Sequence, residues 1–310
     1  MLIQLFVFTV ALLLVMRGAT LATRHATQLA ESYKLSQYLV GFLVVAVISI
    51  LPETFIAINA ALTGVPEFGF GLILGSNIAD LTLVIAIVTF IARRPLKVES
   101  KILKNHALYP FLLLLPIILG LDGHLSRPEG GALILAGAVF YYLTLRQNSD
   151  EPAPVRSRVN RTQTIAYLVL SVTVLLLGAH FIVSSASTIA YMLNINPVLI
   201  GMLIVGLGTV IPELTFSLKA IKSHHDSLAI GDILGTVLAD ATIVIGLIAL
   251  ITPFTFPTTI IYTAGVFMVS SSFILFSFMR SGKMVTRKEA FALLVLWLTF
   301  ISIECIVHFT

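Results

Sequence analysis

A single cysteine, Cys305, stands in 310 residues, so the chain closes no disulfide on itself and owes none of its stability to one. Charge is equally scarce. Only 11% of residues are Asp, Glu, Lys or Arg, against 58% hydrophobic, and the mean hydropathy is +1.03. A water-soluble domain does not have this composition, and the chain reads as an integral membrane protein. The apolar runs also lack period-two alternation: Val40–Leu51 is broken only by Ser49, which excludes a membrane β-barrel and leaves helices.

About 20 apolar residues span a bilayer as helix, and the apolar blocks fit ten spans: 2–29, 37–62, 68–92, 105–121, 129–145, 162–192, 196–218, 228–251, 257–279 and 289–309. The expected fold class is therefore all-α and polytopic. The formal net charge of +4 follows from where the charges sit and is no nucleic-acid footprint. Of the 19 Lys and Arg, 17 fall in the loops after odd-numbered spans, one (Arg127) in an opposite loop, and Arg17 within or at the end of the first span. By the positive-inside bias the odd loops are cytoplasmic and both termini face outside, the cell membrane being the expected location.

Residues 2–16 have the length of a signal-peptide core, yet no convincing small-residue cleavage site precedes the next charged cluster, so they read as a true helix. Arg17 is expected to snorkel to the cytoplasmic face. The one candidate linker, Gln147–Arg161, carries two prolines and both signs of charge and is too short for a folded domain. It divides the chain into halves 1–146 and 162–310, with 147–161 as a cytoplasmic tether. His224 and His225 read as solvated loop histidines; His180 has no clear place, and Glu304 and His308, four apart on the last helix, are expected to pair near its outer end.

Acidic residues inside apolar sequence organise the rest. Ile50–Phe55 reads ILPETF and Gly71–Asp80 reads GLILGSNIAD; Val210–Phe216 reads VIPELTF and Gly231–Asp240 reads GDILGTVLAD. Glu53 matches Glu213, Gly71 matches Gly231, Gly75 matches Gly235, Ser76 matches Thr236 and Asp80 matches Asp240, each pair 160 positions apart without a gap. That is an internal duplication. Five spans per half is odd, so the second half enters the membrane from the opposite side, the inverted-repeat design of many secondary transporters.

Charged groups near a bilayer centre are costly and mark ion paths. Pro52 and Pro212 each precede a glutamate, and a proline within a helix leaves the carbonyl four residues earlier, of Ile48 or Gly208, without its partner. A bound cation would satisfy such a carbonyl. Residues four apart share a helix face, which sets Ser49 beside Glu53, Ser76 beside Asp80, Thr209 beside Glu213 and Thr236 beside Asp240. The donor set is hard and oxygen-rich, with no thiolate and no well-placed imidazole, and suits Ca2+ rather than zinc or copper; Mg2+ stays open.

The two stretches resemble the paired alpha-repeats of the cation/Ca2+ antiporter superfamily, in particular its sodium/calcium exchanger branch, whose motifs run G-T-S-x-P-E and G-S-N-x-x-N/D. Here they stand as SILPE (Ser49–Glu53), GSNIAD (Gly75–Asp80), GTVIPE (Gly208–Glu213) and GTVLAD (Gly235–Asp240). The resemblance covers essentially the whole chain and implies a ten-helix antiporter, not an enzyme, with no cofactor. It implies Glu53 and Glu213 as central Ca2+ ligands, Asp80 and Asp240 as flanking acids, Ser49, Ser76, Thr209 and Thr236 as hydroxyls of neighbouring monovalent-ion sites, and the carbonyls of Ala46 and Gly206 as lining groups.

Two departures bear on the coupling ion. Ile50 and Val210 replace the serine after the motif threonine, and aspartate fills the Asn-or-Asp position in both repeats. The missing hydroxyls and added acid favour H+, the resemblance favours Na+, and both stay open. A passive Ca2+ channel is the nearest rival. An aspartyl-protease dyad of Asp80 and Asp240 is disfavoured, because each comes with a glutamate in a duplicated motif and neither follows a G-x-G.

Overall fold

The computed structural model describes residues 1–32, 50–98, 108–147, 160–224 and 226–309. In the first half, helix α1 runs Leu2–Ser32, α2 Leu51–Leu62 and α3 Pro66–Ala79; a π-helical stretch, Asp80–Val84, joins α3 to α4, Ile85–Ala92. Strand β1 (Leu96–Lys97), helix α5 (Leu108–Leu119), strand β2 (His124–Leu125) and helix α6 (Arg127–Gln147) follow. The second half opens with α7, Arg161–Leu193, then α8, Pro197–Ile200, a π stretch Gly201–Val205, α9, Gly206–Thr209, and α10, Ile211–Lys222. Helix α11, Asp226–Ala239, passes through a π stretch Asp240–Val244 into α12, Ile245–Ile251. Strand β3 (Phe254–Thr255), α13 (Thr258–Ile260), a π stretch Ile261–Gly265, α14 (Val266–Gly282), strand β4 (Met284–Val285) and α15 (Arg287–Phe309) complete the chain.

Among the described residues, seven helices are long and apolar enough to cross a membrane, and the helices at Leu51–Leu62 and Leu108–Leu119 are shorter but apolar. The first half of the expected second span lies outside the described residues, as do the 148–159 part of the tether, His225 and the His308 side chain.

The duplication reaches the backbone. α2 and α10, α3 and α11, and the π stretches at Asp80 and Asp240 share their bounds at the 160-residue offset, as do β2 and β4. Packing repeats as well. Gly18 of α1 lies against Leu175 of α7, where an added Cβ would come 3.1 Å from Cγ; Gly178 of α7 lies against Val15 of α1, where it would come 2.6 Å from Cγ2. Gly178 and Val15 are the offset partners of Gly18 and Leu175, so each contact is the image of the other.

Two apolar clusters result. α1 and α7 pack along each other and, with Ile56, Ala60, Phe68, Leu72, Ile200 and Val205, form the smaller one. Among the described residues, none of α1 or α7 belongs to the larger core, which the other helices build around Ile73, Leu74, Val237, Leu238 and Met268. Where the halves meet, α3 runs so close to α8 and the following π stretch that a Cβ on Gly71 would strike the Val198 carbonyl and one on Gly75 the Met202 carbonyl; Gly201 meets Phe68 from the other side. Only glycine permits that approach.

Both two-stranded ribbons join the halves: β1 pairs antiparallel with β4 (Leu96 opposite Val285) and β2 with β3 (Leu125 opposite Phe254). Each gains a further bond, Val98 N–H to Lys283 O at 2.8 Å and Phe256 N–H to Gly123 O at 2.9 Å.

Candidate ion-binding site

The proline expectation is refined by the backbone. Rather than sitting inside continuous helices, Pro52 and Pro212 occupy the first turn of α2 and α10, which start immediately after Ile50 and Val210. A missing N–H costs nothing there, because the first-turn donors have no intrahelical acceptor. Glu53 and Glu213 are thereby placed in the first turn of a new helix, at the positive end of its dipole, where a carboxylate is favoured. In the second half the break is visible from both sides, with α9 ending at Thr209 and α10 beginning at Ile211.

Asp80 and Asp240 each open a π stretch, a widening of the helix that recurs at functional sites. Thr82 and Thr242 turn their hydroxyls to the Ile78 and Leu238 carbonyls, at 2.5 and 2.7 Å. Two tyrosines fix the helix just before the second π stretch: Tyr109 Oη donates to Leu234 O at 2.7 Å and Tyr141 Oη to Gly235 O at 2.6 Å.

The four acids are all enclosed. Glu53, Asp80 and Glu213 are 1% exposed and Asp240 0%. Among the described residues, both oxygens of Glu213 and of Asp240, Oε2 of Glu53 and Oδ1 of Asp80 have no hydrogen-bond partner, and neither has the Thr236 hydroxyl. Buried polar oxygens are normally paired. So many unpaired oxygens, on groups whose charges act on one another across the halves, describe an interior that a cation would complete.

Of the hydroxyls expected beside their own acid, Thr209 faces Glu53 of the other half and also donates to Gly206 O at 3.2 Å. Ser76 is buried and donates to Ile73 O at 3.2 Å. Gly206 is buried against the Ser76 backbone. Ser49 and Ala46 lie outside the described residues. Among those described, no three Asp, Glu, His or Cys side chains converge tightly enough to enclose a metal ion by themselves, so an ion held here must draw on hydroxyl and carbonyl oxygens as well.

Several buried polar residues escaped the sequence reading. Asp232 is 0% exposed, and its charge acts on Asp80 and Glu213. Its offset partner is Leu72, so a search for identities between the halves passed over it; an acid within an apolar span was the available signal. Asn77 is buried, with Nδ2 3.8 Å from Met268 Sδ, and matches Val237. Ser271 and Ser272 of α14 are buried too. Away from the interior, Glu304 is fully buried beside Thr263, while His180, Arg17 and His224 are exposed.

The pattern of the sodium/calcium exchanger protein family matches residues 3–146 and 163–305. CaxA of Alkalimonas amylolytica is 30% identical over 267 residues, 82% of each chain, and the inner membrane protein YrbG of Escherichia coli 26% identical over 268 residues, 82% of this chain and 81% of its own. The sodium/calcium exchanger MaX1 of Methanosarcina acetivorans is 21% identical over 348 residues, covering 97% of this chain and 98% of its own. Among solved structures, the sodium-calcium exchanger NCX_Mj soaked with 100 mM Na+ and 10 mM Sr2+ superposes with a TM-score of 0.71 at 23% identity, over 97% of this chain and 98% of that one, and thereby shares its fold. With matches in both halves and a fold shared from end to end, this chain belongs to the sodium/calcium exchanger family of membrane antiporters.

Proposed function

We propose that the chain is a secondary active antiporter that exchanges Ca2+ for Na+ by alternating access at a buried carboxylate site. The observation that carries this reading is the duplicated pair of first-turn glutamates and π-turn aspartates, enclosed and with unpaired oxygens. Glu53 and Glu213 are the central Ca2+ ligands and Asp80 and Asp240 flank them. Ser49, Ser76, Thr209 and Thr236 supply hydroxyls to adjacent monovalent sites, and the carbonyls of Ala46 and Gly206 complete the lining. Ten spans in two inverted halves, 1–146 and 162–310, joined by the 147–161 tether, place both termini outside a cell membrane.

Shared ligands explain exchange. The same oxygens cannot neutralise Ca2+ and a full monovalent load together, so the two bind in turn. Access alternates as α1 and α7, which stand apart from the larger core, slide across it.

H+ as the counter-ion is the second reading, favoured by Ile50 and Val210 at hydroxyl positions and by aspartate in both repeats. Four ionised carboxylates around one Ca2+ leave two negative charges uncompensated at low dielectric, and protons would relieve them.

The deciding experiment is Ca2+ uptake into proteoliposomes under a Na+ gradient and, separately, a pH gradient. Na+-driven uptake supports the first reading and pH-driven uptake the second. Ca2+ current with neither gradient would make the protein a channel and overturn both.

A further inference from the structure

The two π-stretch aspartates do not have the same surroundings. Just before Asp240, Tyr109 and Tyr141 donate to the Leu234 and Gly235 carbonyls, but their offset partners, Val269 and Ile301, carry no hydroxyl. Polar groups of another kind gather near Asp80. Asn77, three residues before it, has Nδ2 3.8 Å from Met268 Sδ, and Ser271 and Ser272 follow Met268 by three and four residues on one face of α14. α14 packs against both α3 and the π stretch that Asp80 opens. The two helices run the same way, since α4 leads into β1 and α14 into β4, and these strands pair. With Asn77 beside Met268, the next turn of each helix brings Asp80 and the two serines to one level.

Asn77, Ser271 and Ser272 are all 0% exposed. Asn77 Oδ1, both serine hydroxyls and Asp80 Oδ1 have no hydrogen-bond partner among the described residues. Buried helix hydroxyls such as those of Thr82, Thr89 and Thr242 return to a carbonyl of the preceding turn, and Ser271 and Ser272 make no such bond. Unpaired polar atoms are rare in a protein interior, and here several converge. The duplication does not account for them: their offset partners are Val237, Phe111 and Leu112.

We propose that Asn77, Ser271 and Ser272, with Asp80 at their edge, form a monovalent-cation site that the second half lacks. The inference rests on the reading of Asp80 as an acid of the exchange site and adds α14 to the helices that serve it. Neutral oxygens and one carboxylate are balanced by a single positive charge, whereas Ca2+ calls for six to eight oxygens. The Met268 thioether is too soft a donor for Na+ or K+ and serves as wall. A cation held there neutralises Asp80 without drawing on the other three duplicated acids, so it loads on the first half's side alone.

The test soaks Ca2+-free crystals of the wild type, and of Ser271→Ala combined with Ser272→Ala, in Tl+, which stands in for Na+ and K+ and is located by its anomalous scattering. A peak between Asn77 and the two serines is expected in the wild type and its loss in the double variant. Water alone at that place in the wild type would overturn the proposal, as would a peak that survives the double variant. The wild-type result stands whether or not the variant folds. A second readout is protection from thermal unfolding by Na+ and, separately, K+ in Ca2+-free detergent solution. Asn77→Val is expected to raise the half-protecting concentration of the favoured ion about tenfold, equivalent to about 1.4 kcal/mol, and Ser272→Thr, which keeps the hydroxyl, to leave it near the wild-type value. A lower melting temperature with an unchanged half-protecting concentration would assign these residues a structural role and overturn the proposal. Tl+ bound here in a protein that moves no Ca2+ under either gradient would remove the exchanger reading and leave the site standing, so the two failures are distinct.

Discussion

Arg94 grips Asp226 with both terminal nitrogens, Nη1 to Oδ2 at 2.5 Å and Nη2 to Oδ1 at 2.7 Å, across 132 residues of sequence. The pair joins the end of α4 to the start of α11, and so one half to the other. The Lys97 N–H adds a bond to Asp226 Oδ2 at 2.9 Å, and Arg94 Nη2 reaches the Ile221 carbonyl at 3.4 Å. Asp226 is only 6% exposed, which distinguishes this bidentate pair from a surface ion pair of little worth.

Removing either partner should therefore loosen the protein, with Arg94→Ala costing more than Asp226→Asn because it leaves a buried carboxylate without its counter-charge, held by the Lys97 N–H alone. A loss of about 1.5–3 kcal/mol is expected for Arg94→Ala, read as a lower unfolding temperature in detergent. Unchanged stability in both variants would show the pair to be inconsequential.

Its pH dependence follows from the same contacts. Burial pushes the Asp226 carboxyl up, but hydrogen bonds from Arg94 and Lys97, with the Arg94 charge, more than offset that and hold it below the usual carboxylate range. A depressed carboxyl contributes stability that is complete above its unfolded-state value, about 3.9, and lost as pH falls through the lower folded value. Acid should thus weaken the wild type below about pH 4. Asp226→Asn, unable to lose what it no longer has, should lose less there, as thermal melts across pH 3–7 would show.

Glu53→Gln and Glu213→Gln should each cut Ca2+ transport by about a hundredfold or more, the effect of losing about 2.7 kcal/mol of Ca2+ binding. The protein should remain folded, since the amide fills the same space. Near-normal Ca2+ flux in both would remove these residues as central ligands.

Close backbone approach gives a steric prediction. Gly75→Ala should destabilise the protein by about 1–3 kcal/mol or more, because its methyl meets the Met202 carbonyl, which cannot move aside as a side chain tip would. Gly131→Ala, where nothing among the described residues lies within 4 Å, should be tolerated. Equal melting temperatures for the two variants would contradict the packing.

Topology is testable by labelling. Tags at residue 1 and within 147–161 should be accessible from opposite sides of the membrane, the first from outside. Labelling of both from one side would defeat the inverted arrangement.

Much of this was legible in the chain itself. Glu53, Asp80, Glu213 and Asp240 stood out because an acid in an apolar span has few reasons to be there, and the 160-residue offset needed only identities. Where the helices break was harder to see: proline in a helix and proline in the first turn of a new one look alike until the backbone shows α2 and α10 starting just before it. The π stretches left no mark, because extra width in a helix is set by packing and not by residue type. Asp232 was hidden by the duplication, since matching the halves favours what they share. The Arg94–Asp226 pair and the ribbons depend on contacts between residues more than 100 positions apart, which periodicity does not report.

The ribbons carry one more implication. Neither half supplies both strands of either ribbon, so a half on its own would be left with open edges at β1 and β2 or at β3 and β4. The molecule is in this sense a dimer written as one chain. A covalent link raises the effective concentration of one half around the other without adding a contact. Two separately made halves would therefore carry matching strand edges, and what the single chain guarantees is that they always arrive in equal number.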